Sequence, residues 1–501
     1  MSVLALSGML LTAGCQKDLL DQVNPNAPST TTFFKTPNDA QLAVNSCYGV
    51  FHFEGSYGRW IHFDYDLRSD EGFSNSPWTD LANSTRFIFI DYNFPTVASV
   101  WTEAYRGVFR CNQVINNVPS IDFGADTALK NRLIGEARFV RAMYYWNLVT
   151  LWGNVPLVSD LVEASTRVPQ GTVQQGWDFI LADLKEAEAA LPVSYTGSDV
   201  GRATKGAAQT LMGKVYMQQR KWAEAQVQFE KVISSGRYSL AARYEDNFNV
   251  AGENNSESIF EIGFSDKFQG NGQDVAGSSQ GFQRPQFFGA RSVGWSDGQP
   301  RKWLFGEFTD KTVDGKTDPR RDVTVFSYPM TVYGKTYEER FADPDTKLFD
   351  KDELFWRKYQ NEVGRDKEDY FSPIDFRVMR YADVLLMQAE ALNEQGKTSD
   401  AIPLINQVRA RVNVVPLATT AFTRATMKNQ ILHERVTELC GENTRWTDLQ
   451  RSGLLDDQAG VSTITPRDPD FINFKPGKSL YLPIPQSDVT LDPALTQNPG
   501  W

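Results

Sequence analysis

Apolar residues recur at three- and four-residue steps through most of the chain, a period that predicts helices. The first begins after Thr36, where Pro37 suits the opening turn and Asp39 complements the helix dipole. Ala40, Val44, Cys47 and Phe51 then share one face. A second helix is predicted over 97–118, with Val100, Trp101, Ala104, Val108 and Ile115 as its stripe. Others are predicted over 128–152, 174–191, 204–219, 222–235, 424–440 and 443–452. Two stretches break the period. Gly55–Pro95 is irregular and aromatic, and 240–373 is rich in Gly, Asp, Phe and Trp. Long aperiodic stretches in compact proteins are more often functional than idle. The Pro-rich tail Ser479–Trp501 reads as extended.

Two helical pairs repeat each other. Gly213, Tyr216, Ala225 and Phe229 follow the tetratricopeptide pattern of a small residue and an aromatic on one helix, then Ala and Phe on the next. Small residues let the helices approach, and the larger side chains fill the groove between them. A second copy starts near Arg380, where Ala389, Leu392, Ala401 and Ile405 keep the offsets and Gly396 separates the helices. Two weaker pairs are 128–152 with 174–191 and 424–440 with 443–452. The expected fold is mainly α, with tetratricopeptide-like repeats forming an α-superhelical scaffold that carries long loop-rich insertions.

The N-terminus changes the picture. Residues 1–14 are uncharged and apolar or small, and Cys15 follows them. Fourteen helical residues reach about 21 Å, short of a hydrocarbon core of roughly 30 Å, so a signal peptide is expected there. Leu11-Thr12-Ala13-Gly14-Cys15 resembles a bacterial lipobox, which makes Cys15 the expected lipidation site. The expected organisation is a signal over 1–14, a lipidated tether over 15–35 and a helical region over 36–240 with an early binding loop at 54–96. An insertion over 241–373 and a helical region with an extended tail over 374–501 complete it. Three further cysteines, Cys47, Cys111 and Cys440, are too few and too scattered for a disulfide framework. Cys47 and Cys111 sit on apolar faces and read as buried thiols.

The net charge of −11 excludes nucleic acid as a natural partner, because phosphates call for clustered Lys and Arg. The three histidines, His52, His62 and His433, sit in no nucleophile-elbow or HExxH pattern. Asp310, Asp314 and Asp318 only faintly echo a calcium loop, since Arg321 stands where the bidentate Glu belongs. No catalytic residue, metal or cofactor is therefore expected, and the protein reads as a binder and not an enzyme.

Several blocks together resemble the SusD/RagB family of outer-membrane nutrient-binding lipoproteins. They include Gln16-Lys17-Asp18-Leu19-Leu20-Asp21, Gly135-Glu136-Ala137-Arg138, Leu151-Trp152-Gly153-Asn154-Val155-Pro156 and Gly201-Arg202-Ala203-Thr204-Lys205-Gly206. Arg380-Tyr381-Ala382-Asp383, His433-Glu434-Arg435, Arg445-Trp446-Thr447-Asp448 and Gln497-Asn498-Pro499-Gly500-Trp501 continue the series. The sequence departs from the family at Gly441, Asn443 and Thr444, which questions local packing more than function. The resemblance implies a lipid-anchored protein on the outer face of the outer membrane, with a glycan ligand and a SusC-like TonB-dependent barrel as partner. An oligopeptide cargo, a repeat scaffold and a glycosidase are the alternatives.

Sugar rings offer apolar C–H faces and a rim of hydroxyls, so a site for them needs aromatic platforms beside amides, carboxylates or guanidinium groups. The aperiodic stretches supply both. The first holds Trp60, Tyr65, Arg68, Asp70, Trp78 and Asn83; the second holds Phe287, Phe288, Trp295 and Trp303. Trp78 and Asn83 fit the Trp and nearby amide that the family places in its early loop. The sharpest expectation is that Trp78 and Trp295 stack on sugar rings while Asn83 and Arg68 hydrogen-bond the hydroxyls. Trp146, Trp152, Trp177, Trp222 and Trp446 fall at helical positions and read as core.

Overall fold

The structure, a computed structural model, describes residues 33–501 apart from 90, 164–165, 268–278 and 421. Cys15, the signal segment and most of the tether lie outside the described residues. Ten helices build the scaffold: α1 Pro37–Gly49, α2 Pro95–Asn117, α3 Thr127–Trp152, α4 Val173–Ala190, α5 Lys205–Gln218, α6 Trp222–Ser234, α7 Tyr381–Glu394, α8 Thr398–Arg411, α9 Arg424–Leu439 and α10 Arg445–Ser452. Their starts are chemically marked. Thr36, Thr172 and Thr423 each close a capping box, which satisfies backbone N–H groups that no helix turn can reach.

α3 is the spine, buried almost without interruption from Leu133 to Trp152. α2 and α4 pack on it, α5 on α4, and then α6, α7 and α8 follow in order, so each helix meets mainly its neighbours. The repeat positions do what their sizes imply. A Cβ at Gly213 would lie 2.3 Å from the Phe229 ring, so only glycine admits this approach. Ala225, Ala389, Ala401 and Ile405 are fully buried. Gly396 takes φ +78 between α7 and α8, and Arg220 takes φ 55 at the matching place between α5 and α6. Tyr216 corrects the pattern, because it is only half buried. Phe229→Ala is therefore expected to cost about 3–5 kcal/mol in urea unfolding, with ligand affinity of the folded protein unchanged, and Tyr216→Ala less.

The described residues of the 241–373 stretch hold more structure than its composition implies. Its strand Ser258–Ile262 pairs antiparallel with Phe376–Arg380, which leads into α7. Ala290, Val293, Phe326, Tyr337, Phe341 and Phe355 belong to a small second core within it. The tail seals α3: the Trp152 indole donates to Pro483 at 2.9 Å, and Asn498 donates to the Trp152 carbonyl at 2.8 Å. Cys47, Cys111 and Cys440 are buried free thiols.

The family-like blocks are joined by buried charges. Glu136 meets Arg202 at 3.0 Å, and Arg141 meets Asp183 at 2.7 Å. The charged residues of the two blocks around Glu434 and Asp448 do not pair only with one another. Arg435 pairs with Asp448, whereas Glu434 pairs with Arg320 and Arg409, and Arg445 reaches back to Asp70. At the departing block, the Asn443 N–H donates to Asp66 at 2.8 Å, and an added Cβ at Gly441 would lie 2.9 Å from Trp356.

Asp310 binds His433 and Arg409, Asp318 binds Arg320, and Asp314 binds Lys316. These carboxylates each face a cation. Burial opposes charge on His433, but hydrogen bonds to Asp310 and Glu307 outweigh it and raise the imidazole pKa to about 9. The folded value lies above the unfolded one, so this contribution is full below about pH 6.5 and is lost as pH rises through about 9. The gap in melting temperature between the parent and His433→Gln should be widest near neutral or acid pH and close in alkali. A gap independent of pH would place its origin in packing instead.

Candidate functional site

The early segment is tightly built. A Cβ at Gly55 would lie 2.4 Å from the Ser99 carbonyl oxygen, and one at Gly58 2.4 Å from that of His52, so both glycines let the chain press onto its neighbours. Two wide helical turns, Glu54–Gly58 and Phe63–Leu67, replace the expected irregular loop. Burial in and beyond these turns takes Tyr65, Arg68 and Asp70 out of solvent, and Phe288 is buried as well.

Tyr65 is buried with its hydroxyl donating to Asn147 at 3.1 Å. Arg68 stacks on Trp446 at 4.5 Å and donates to the Ser479 carbonyl at 3.1 Å, while burial lowers its pKa to about 10. It is a core cation and not a hydroxyl-binding group. Asp70 is fully buried and clamped by Arg445 and Arg467; burial opposes its ionisation, but the two guanidinium groups hold its carboxyl below the usual range. Phe288 is fully buried under Arg284 and against Phe63. Trp303 lies apart: its indole donates to the Asp70 carbonyl, Arg467 covers it at 5.0 Å, and it lines a cavity beside α9.

Trp78 and Trp295 are different. They are 40% and 52% exposed, the two exposed tryptophans among the described residues. A short antiparallel ribbon brings their two segments together, pairing Gly72–Ser74 with Gly298–Pro300. Trp78 stands at the start of the short helix Thr79–Thr85. Trp295 ends a tight loop whose N–H groups fold back: Gly294 donates to Ala290 at 2.8 Å and Trp295 to Gln286 at 2.7 Å. A Cβ at Gly294 would come within 2.6 Å of the Gln286 carbonyl oxygen, and Ser292 and Ser296 take φ 70 and 59.

Both indoles brace on one buried set of rings. Trp78 meets Trp60 edge-on at 5.7 Å, Trp60 meets Phe287 at 5.3 Å, and Phe287 meets Trp295 at 4.9 Å. Tyr370 closes the set at 5.4 Å from Trp295. Arg59 lies 4.7, 4.8 and 5.0 Å from the ring centres of Trp60, Phe287 and Tyr370 and donates to Gln283 at 2.6 Å. Edge-on and cation–π contacts each add about 0.5–1.5 kcal/mol and fix ring orientation. Trp60 and Phe287 thus support the platform from beneath, at 5% and 3% exposure. Arg59 and Tyr370 join it without having been singled out in the sequence; a cation beside Trp60 and a Tyr in the aromatic-rich stretch were the only local signals.

A polar fringe borders these rings. Asn75 and Gln299 contact each other at 3.4 Å, Arg86 donates to Asn75 at 3.0 Å, and Gln299 donates to Ser296 at 2.8 Å. Asn83 is half buried on the Thr79–Thr85 helix, sharing a half-exposed stripe with Asp80. Burial raises the Asp297 carboxyl above its ordinary range, offset in part by the Ser76 hydroxyl. The surface thus sets exposed rings beside amide, hydroxyl, carboxylate and guanidinium groups, an arrangement able to stack on and hydrogen-bond a ligand.

Comparison with known proteins places the chain. The model described as SusD family matches residues 256–501, and one described as starch-binding associating with outer membrane matches residues 20–217. The chain belongs to the SusD-like family. SusD-like protein P2 of Formosa agariphila is 28% identical over 98% of both chains. A SusD superfamily protein of Bacteroides vulgatus superposes with a TM-score of 0.82 at 27% identity, covering 94% of this chain and 100% of the other. A laminarin-binding SusD-like protein superposes with a TM-score of 0.75 at 26% identity, covering 93% and 100%.

Proposed function

We propose that this SusD-like protein captures a glycan at the outer face of the outer membrane and passes it to a SusC-like TonB-dependent barrel. The observation that carries the reading is the pair of half-exposed indoles, Trp78 and Trp295, braced on one buried ring cluster beside amide and hydroxyl groups. Rigid aromatic faces suit the C–H faces of sugars, and preorganisation lowers the entropy lost on binding. The starch in the matched model's description and the laminarin named for a solved relative direct the first screen to glucans. Calorimetric titration with neutral oligosaccharides and with peptides of similar size tests the ligand class. Saturable heat with an oligosaccharide and none with peptides is the expected result; the reverse pattern would point to oligopeptide cargo. Delivery is tested by asking whether a TonB-dependent barrel co-purifies from solubilised outer membranes.

The Cys15 anchor belongs to the same proposal, supported by the lipobox-like run and by the membrane association in the matched model's description. Cys15→Ala is expected to move the protein from the membrane fraction to the soluble one. Retention of the variant on membranes in high salt would exclude the lipid as the anchor.

A further inference from the structure

We propose that the cavity beside Trp303 is a second carbohydrate subsite, selective for a sugar unit that carries a carboxylate or sulfate group. The cavity has a volume of ≈ 620 Å³ and lies between the Trp303 segment, α9 and the residues that follow α10. That volume falls within the range of small-ligand sites. Its wall combines three features that an anionic sugar needs.

The first is an oriented ring. Trp303 is held by its indole N–H on the Asp70 carbonyl, and Arg467 covers it from one side. Leu432 and Leu454 extend the apolar wall that a sugar's C–H face requires. The second is a polar lip, where the exposed Asn429 and Thr463 supply an amide and a hydroxyl.

The third is charge. Lys428, His433, Arg445 and Arg467 line the cavity, with Glu307 as the one lining carboxylate. Asp70 behind Arg445 and Arg467, and Asp310 behind His433, answer part of this. Arg445 and Arg467 are thus paired with Asp70, with Glu71 and Asp448 also near Arg445, and His433 is paired with Glu307 and Asp310, which leaves Lys428 as the lining cation that carries uncompensated charge. Lys428, half buried, donates to the Ser452 carbonyl at 3.1 Å, and no carboxylate among the described residues forms an ion pair with it. An anion in a partly enclosed cleft is held more strongly than on open surface, because the walls limit screening by water and salt.

The proposal rests on the glycan-binding reading for its ligand class but uses none of the platform residues. Its test titrates a uronic-acid oligosaccharide, a sulfated oligosaccharide and a neutral one of equal length. The proteins are the parent, the double variant Trp78→Ala/Trp295→Ala, and Lys428→Glu. At least one acidic oligosaccharide should bind the double variant, with an affinity that falls as salt is raised. Lys428→Glu should weaken acidic binding at least roughly tenfold while neutral binding and melting temperature stay at parental values, and Lys428→Arg should restore it. The responses to the uronate and sulfate probes identify which anion the cavity prefers. Failure of both acidic probes to bind the double variant, or indifference of acidic binding to Lys428→Glu, overturns the proposal. Failure of the platform reading looks different: the neutral oligosaccharide would bind the double variant as well as the parent.

Discussion

Trp78→Ala and Trp295→Ala are each expected to weaken neutral glycan binding by about 2 kcal/mol or more, roughly 30-fold in affinity. Each indole presents 40–52% of its surface to solvent while its inner edge is fixed by Trp60, Phe287 or Tyr370. A ligand stacking there covers the exposed part of a ring already held in place, so little side-chain entropy is lost. Truncation removes that contact and leaves a hole only at the rim of the fold. The melting temperature should therefore change little in either variant. Trp152→Ala is the control: its ring is fully buried, and it should lose about 3–5 kcal/mol of stability. Trp60→Ala and Phe287→Ala should reduce both stability and affinity, because they support the platform from below.

The second large effect is on folding. Glu438 accepts from Arg380 at 2.5 Å, from Arg411 at 2.5 Å and from Arg320 at 3.1 Å, all deeply buried. Burial opposes its ionisation, yet the three guanidinium groups hold its carboxyl far below the usual range. Arg380 also binds Glu257 and Glu442, so the network joins the 241–373 stretch to α7, α8 and α9. Glu438→Ala leaves buried cations without their shared counter-charge and should cost about 3–5 kcal/mol in urea unfolding. Replacing the group wholesale by apolar side chains of similar volume is expected to be far milder, because the desolvation of the charges disappears with them. A Glu438→Ala protein as stable as the parent would mean that water enters the network.

The scaffold was legible because its determinants are local. Three- and four-residue apolar steps, the Pro37 and Asp39 start signals and the Gly213–Phe229 approach each lie within one helix or one helical pair. The exposure of Trp78 and Trp295 was also legible, because they are large apolar residues in stretches with no helical face to bury them. Their neighbours were not. Asp70, Arg68, Tyr65 and Phe288 share the same polar, glycine-rich setting, and nothing nearby distinguishes a ligand group from an internal one. The partner that buries Asp70 is Arg445, 375 residues away. Trp303 misled for the same reason: eight positions separate it from Trp295, but a hydrogen bond to Asp70 turns it toward α9. Arg59 is the converse case, a charged residue that only the folded structure sets over three rings.

The most direct test of the glycan platform is fluorine NMR of protein labelled with fluorotryptophan, whose resonances are assigned by single Trp→Phe substitutions. Titration with a neutral oligosaccharide that binds should move the Trp78 and Trp295 resonances together, along the isotherm measured by calorimetry. Trp152 and Trp446, fully buried in the scaffold, should stay in place. Saturating ligand that leaves both Trp78 and Trp295 unmoved would contradict the platform.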